Sequence, residues 1–275
     1  MNKIWQASAY LKYLIRSFHL HGIHSPFVFE LNENVFQEKI PFYAFEEIES
    51  IRAKLLLSHQ KIRVEDHGAG SKKNNTLERR ISDIARTALK SPSKAQLMFR
   101  LARHLKANKI LELGTSLGLT TAYLSKARKS AQIISIEGSK EIAKVAKINF
   151  EKLELTNIEL IQATFGEALE NQLQKLQAVD LVFFDGNHQK IPTLSYFESC
   201  LKYSHTDSVF VFDDIYWSKE MKESWDIIKQ HKSVSLTIDL FEMGLVFLEP
   251  DRQKNILPFI IGGKKVPFQF NKFVR

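Results

Sequence analysis

The sequence predicts a doubly wound α/β fold, and three observations carry that expectation. Short apolar runs recur at Ile110–Leu113, Gln132–Ile136, Ile158–Ile161, Asp180–Phe184 and Val209–Phe212, with helical spacing between them. Two closing runs, Ser235–Leu240 and Gly244–Leu248, lie too close in sequence for a parallel crossover, so one strand must be reversed. The residues before the first run read instead as helices and loops.

In chain order, Ile4, Ala7, Leu11, Leu14, Ile15 and Phe18 recur at helical spacing and define an amphipathic first helix ending near Gly22. A second helical stretch follows Pro41 through Phe45, Ile48, Ile51 and Leu55. The segment from Ile62 to Asn75 is the most loop-like part of the chain. Ser91-Pro92 marks a helix start, serine as N-cap and proline at the first helical position. From there, helices at about Thr120–Arg128, after Ser139, at Glu167–Leu176, Pro192–Tyr203 and Ser218–Gln230 alternate with the strands. The domain reading is a helical extension or lid over 1–90, a ligand-binding domain over 91–250 and a basic tail over 251–275 with no clear element.

Composition narrows the class. Hydrophobic residues make 44% of the 275 and charged residues 25%, which excludes disordered and fibrous chains. No apolar run approaches a membrane span, and Lys3, Lys12 and Arg16 break the layout of a signal peptide. The single cysteine, Cys200, excludes an internal disulfide and a cysteine-built metal site, so a reducing cytoplasm is the expected location. The net charge of +8 is unevenly placed: residues 1–107 hold 18 Lys and Arg against 10 Asp and Glu, and the rest is balanced. That asymmetry leaves open a solvated basic face or an acidic partner.

The first strand runs into Glu112-Leu113-Gly114-Thr115-Ser116-Leu117-Gly118. A glycine directly after an apolar strand permits a tight turn and brings backbone N–H groups close to a ligand. The spacing differs from the G-x-G-x-x-G of dinucleotide enzymes, and Glu137, followed by Gly138, ends the next strand where a carboxylate can accept both hydroxyls of a ribose. An adenosine ligand without a long phosphate chain fits both features.

These residues resemble the class I S-adenosylmethionine-dependent methyltransferases, in the form typical of O-methyltransferases. The resemblance covers about residues 92–250 and implies a Rossmann-like sheet of seven strands with an antiparallel last strand. It also implies S-adenosylmethionine as cofactor, held by Glu112, Gly114, Thr115, Ser116, Gly118, Glu137, Gly138 and Asp185, with Thr164 and Phe165 at the adenine. Thr164 with Glu167 reads equally as a capping box.

Two later strand ends carry acids: Asp185-Gly186-Asn187-His188 and Asp213-Asp214. In a doubly wound sheet such ends neighbour one another at the ligand crevice. Three converging carboxylates repel unless a cation or protons neutralise them, and oxygen donors suit Mg2+ or another hard divalent ion. The arrangement is similar to metal-dependent macrolide-sugar O-methyltransferases and, more distantly, catechol O-methyltransferases. By that resemblance Asp185, Asp213 and Asp214 are candidate metal ligands, and His188 with Asp185 the candidate catalytic pair. His21, His24, Asp66 and His67 form a second polar set, and Gly68–Ser71 a candidate hinge or contact loop.

The function expected is S-adenosylmethionine-dependent O-methylation of a small hydroxylated substrate, assisted by a divalent metal. Two other readings stay open: a nucleic-acid methyltransferase using the basic first third, and a cofactor-binding scaffold without activity. A membrane partner is not expected, and a homodimer is left open.

Overall fold

The computed structural model describes residues 3–17, 25–65, 77–248 and 255–258. The sets at His21, His24, Asp66, His67 and Gly68–Ser71 lie outside the described residues.

The central sheet is built from β3 (Lys109–Leu113), β4 (Gln132–Glu137), β5 (Ile158–Gln162), β6 (Val179–Phe184), β7 (Ser204–Asp213), β8 (Leu236–Asp239) and β9 (Met243–Phe247). Seven strands lie in the order β5-β4-β3-β6-β7-β9-β8. Six run in one direction, and β9 alone inserts antiparallel between β7 and β8. The reversed strand is therefore the last of the seven, as expected.

An eighth strand, β10 (Asn255–Pro258), pairs parallel with β8 at the sheet edge. The tail was expected to carry no element, because Ile256 and Leu257 are too few to show a period. A second correction concerns the loop-like stretch. Lys61–Val64 (β1) pairs antiparallel with Leu77–Arg80 (β2) in a separate two-stranded sheet. Partners that far apart in sequence leave no local turn signal.

Along each strand successive side chains take opposite faces, as the two-residue period requires. Ile110, Ile133, Leu181, Phe183, Val209 and Val211 pack with α5 (Pro92–His104) through Leu97, Met98 and Leu101, and with α2 (Pro26–Leu31) through Val28 and Leu31. Leu111, Leu113, Ile134, Val182, Phe184, Phe210 and Phe212 pack on the other side. There they meet α8 (Phe165–Leu176), α9 (Lys190–Leu201) and α10 (Lys219–Gln230) through Leu169, Leu173, Phe197 and Trp225.

The N-terminal helices continue the first layer. Ile48, Ile51 and Leu55 of α3 (Tyr43–Leu57), with Ile81 and Ile84 of α4 (Ile81–Ala88), share one core with Tyr123 of α6 (Leu119–Ala127) and Ile142 of α7 (Lys140–Lys152). The aliphatic stripe of α1 (Lys3–Arg16) behaves differently: Ile4, Leu11 and Ile15 face solvent, at 82%, 60% and 76% exposure. This helix docks through Tyr13 against Phe241, and through Gln6, whose amide donates to the carbonyl of Trp217 at 3.0 Å.

The capping expectation at Ser91 changes as well. Ser91 and Ser139 occupy N-cap positions without a side-chain cap bond, whereas Ser218 accepts from the Met221 amide at 3.1 Å. The Thr164–Glu167 capping box is present.

Candidate active site

Strand register lays the functional residues in one row. Leu113 pairs with both Ile136 and Phe184, and Phe184 pairs with Phe212. The next positions are therefore Glu137, Gly114, Asp185 and Asp213, side by side at the carboxyl edge. Chain order reverses between β3 and β6, and this reversal opens the crevice where an α/β sheet receives its ligand.

The loop after β3 is fixed from below. Gly114 adopts φ +110°, and a Cβ there would stand 2.2 Å from the Asp185 carbonyl oxygen. Only glycine lets strands β3 and β6 approach so closely at this point. Glu112 is fully buried and accepts from the hydroxyls of Thr121 and Ser135, the latter at 2.6 Å. Burial pushes its carboxyl up to about 7, against the lowering effect of those two hydroxyls. Thr115 turns inward too, its hydroxyl 2.6 Å from that of Ser135. Both residues were expected at the cofactor; their side chains instead brace the turn from underneath.

Above the loop, Glu137 accepts from the amides of Ser116 and Ser139, each at 2.9 Å, one on each carboxylate oxygen. The two bonds fix the plane of the carboxylate at the crevice. The Ser116 hydroxyl is buried with no hydrogen-bond partner among the described residues. Gly138 meets only Gln162 among the described bonds, and Gly118 begins α6 at φ +83°. Phe165 packs its ring over Gly186, where a Cβ would come within 2.7 Å of it, and so walls one side of the crevice. Thr164 is committed to its capping box.

The acid cluster holds a residue that the sequence did not single out. Lys90, in the connection between α4 and α5, is buried, and its ammonium lies 2.7 Å from Asp185 Oδ1 and in close contact with Asp213 Oδ2. Arg52 of α3 fixes this connection by donating to the Lys90 carbonyl at 2.7 Å. Arg52 in turn pairs with Glu49 at 2.8 Å, and Glu49 accepts from the Tyr123 hydroxyl at 2.9 Å.

Burial raises all three carboxyls of the cluster, but Asp213 ends up held down at about 2 by Lys90, with help from Lys94 and His188. Asp185 stays well above the ordinary carboxylate range, because burial and the Asp213 charge outweigh its share of the ammonium. His188 Nε2 lies 4.0 Å from Asp214 Oδ2. Asp213 Oδ1 is buried without a hydrogen-bond partner among the described residues.

The geometry alters the expected metal set. Ligand atoms of Asp185, His188 and Asp213 lie within 4.8 Å of one another, and Asp214 is not among them. Asp185 and Asp213 already share the Lys90 ammonium. A divalent ion about 4 Å from that charge would meet repulsion of about 8 kcal/mol at an effective dielectric of 20. Lys90 therefore competes with a divalent cation for the same two acids. Nothing in the motifs marks Lys90; the only trace is the basic excess of the first 107 residues.

Residues 111–215 match the family model described as a methyltransferase domain. Over 130 residues the chain is 29% identical to a catechol O-methyltransferase of Niastella koreensis, covering 46% of this chain and 57% of that one. Over 75 residues it is 37% identical to a protein-L-isoaspartate O-methyltransferase of Koribacter versatilis, covering 27% of this chain and 33% of that one. The chain thus spans about half and a third of the length of these two curated relatives.

Among solved structures, an O-methyltransferase from Bacillus cereus in complex with SAH superposes with a TM-score of 0.51 at 19% identity, over 79% of this chain and 97% of that one. An SAH-bound methyltransferase from Podospora anserina gives 0.55 at 15%, over 82% and 97%. In fold and in the matched domain the chain is similar to class I methyltransferases. Within that class the similarity is to O-methyltransferases, which bears out the resemblance read from Glu112–Gly118.

Proposed function

We propose that this chain is an S-adenosylmethionine-dependent O-methyltransferase acting on a small hydroxylated molecule. The observation that carries the reading is the row Glu137, Gly114, Asp185 and Asp213 at the switch point of the sheet, with a fixed carboxylate at one end and a buried acid cluster at the other.

When bound, S-adenosylmethionine supplies an electrophilic methyl group for in-line transfer. Glu137 holds the ribose hydroxyls, its plane set by the Ser116 and Ser139 amides. The Gly114–Gly118 turn and the Ser116 hydroxyl line the methionine side, and Phe165 closes the adenine side. Transfer of this kind needs little covalent help, so positioning and deprotonating the acceptor carry the mechanism. His188 takes the proton of the acceptor hydroxyl, with Asp214 nearby to stabilise the imidazolium. Residues 91–250 form the catalytic domain in this reading, and 1–90 cover the substrate side.

Calorimetry with S-adenosylhomocysteine, followed by methyl transfer from labelled S-adenosylmethionine to a panel of hydroxylated small molecules and to RNA, tests the reading. Binding and transfer to a small molecule are expected. A chain that binds no S-adenosylhomocysteine, or methylates only RNA, overturns it.

A further inference from the structure

We infer that the Lys90 ammonium is the resident cation of the acid cluster, standing where a divalent metal would otherwise be needed. This inference rests on the methyltransferase reading and deepens it. Three observations support it. Lys90 is buried and bridges two acids from neighbouring strand ends, Asp185 and Asp213. Its backbone is anchored from α3 by Arg52, so the ammonium is delivered by a fixed connection rather than by a mobile surface arm. The acids it joins are two of the three groups whose geometry would otherwise gather a metal.

The substitution has a chemical consequence for the acceptor. A divalent ion can bind two neighbouring oxygens of a substrate at once. A lysine ammonium has three N–H donors, and two are given to Asp185 and Asp213, so one remains for an acceptor oxygen. The site is therefore built for an acceptor that presents one hydroxyl, and a vicinal diol is not required. Lys90 also holds Asp185 and Asp213 at the distance set by one small cation.

Titration of the full chain with Mn2+ after stripping with EDTA, with free Mn2+ read by electron paramagnetic resonance, tests the assignment. The unaltered chain is expected to bind Mn2+ no more tightly than about 1 mM. Lys90→Met, which keeps the stem and removes the charge, is expected to bind it at least about tenfold more tightly, because the vacated acids then need a cation. Micromolar Mn2+ binding by the unaltered chain overturns the inference, and so does a folded Lys90→Met that gains no affinity. Should Lys90→Met fail to fold, the unaltered chain decides the question by itself. Calorimetry with S-adenosylhomocysteine on the same samples separates the two readings. Its failure sinks the methyltransferase assignment, whereas the Mn2+ result bears on Lys90 alone.

Discussion

Lys90 and Asp185 meet at 2.7 Å although one belongs to the connection before the sheet and the other to the end of its β6 strand. Asp213 completes the bridge from the next strand. One ammonium therefore ties the N-terminal region to the carboxyl edge of the sheet, and the chemistry of that edge depends on a residue outside the motifs.

Breaking this bridge is expected to be costly. Lys90→Ala leaves two buried acids without their cation and should lower stability by about 3–5 kcal/mol, the range for a buried pair that loses one partner. Urea unfolding followed by circular dichroism measures it, and a loss under about 1 kcal/mol would show that the acids find another partner.

Gly114→Ala should fold poorly or distort the loop. The new Cβ would stand 2.2 Å from the Asp185 carbonyl oxygen at φ +110°, and both atoms are backbone-fixed. Displacing that strand end is expected to weaken S-adenosylhomocysteine binding at least about tenfold, equivalent to about 1.4 kcal/mol. Unchanged affinity by calorimetry would place the cofactor elsewhere.

Glu137→Ala removes the carboxylate held by the Ser116 and Ser139 amides. The loss of charge-assisted hydrogen bonds to ribose, about 1.5–3 kcal/mol, should weaken nucleoside binding by roughly 10- to 150-fold. The fold should survive, because the side chain lies at the crevice, and a thermal melt on the same variant checks that.

Stability should fall as pH rises from about 4.5 to about 7. Burial raises the folded-state pKa of Glu112 from its ordinary 4.5 to about 7, so within this window the folded chain holds a proton that the unfolded chain has released. The effect amounts to about 3 kcal/mol at the full shift and is constant above pH 7. Glu112→Gln, which keeps the hydrogen bonds of the neutral form, should flatten that part of the stability profile. A profile unchanged by the substitution would assign the dependence to another group.

Much of the site was legible because strand ends are local features. Gly114, Glu137, Asp185 and Asp213 each follow an apolar run, and parallel register converts that shared position into a row. Glu112 and Thr115 were harder to place, since the period of two gives a face only within a strand, and the turn rotated Thr115 inward. The pairing of β1 with β2 was not legible at all, because its partners are separated by a stretch without pattern.

The sequence by itself determined the doubly wound order, the reversed strand, the glycine turn and the acids at the strand ends, because these follow from spacing along the chain. It also determined that the basic excess belongs to the first 107 residues. Only the tertiary structure decided what part of that excess does: Lys90 and Lys94 turn inward to meet Asp213, Asp185 and Glu242. Charge is additive along a chain, but pairing depends on distance in space, and 123 residues separate Lys90 from Asp213.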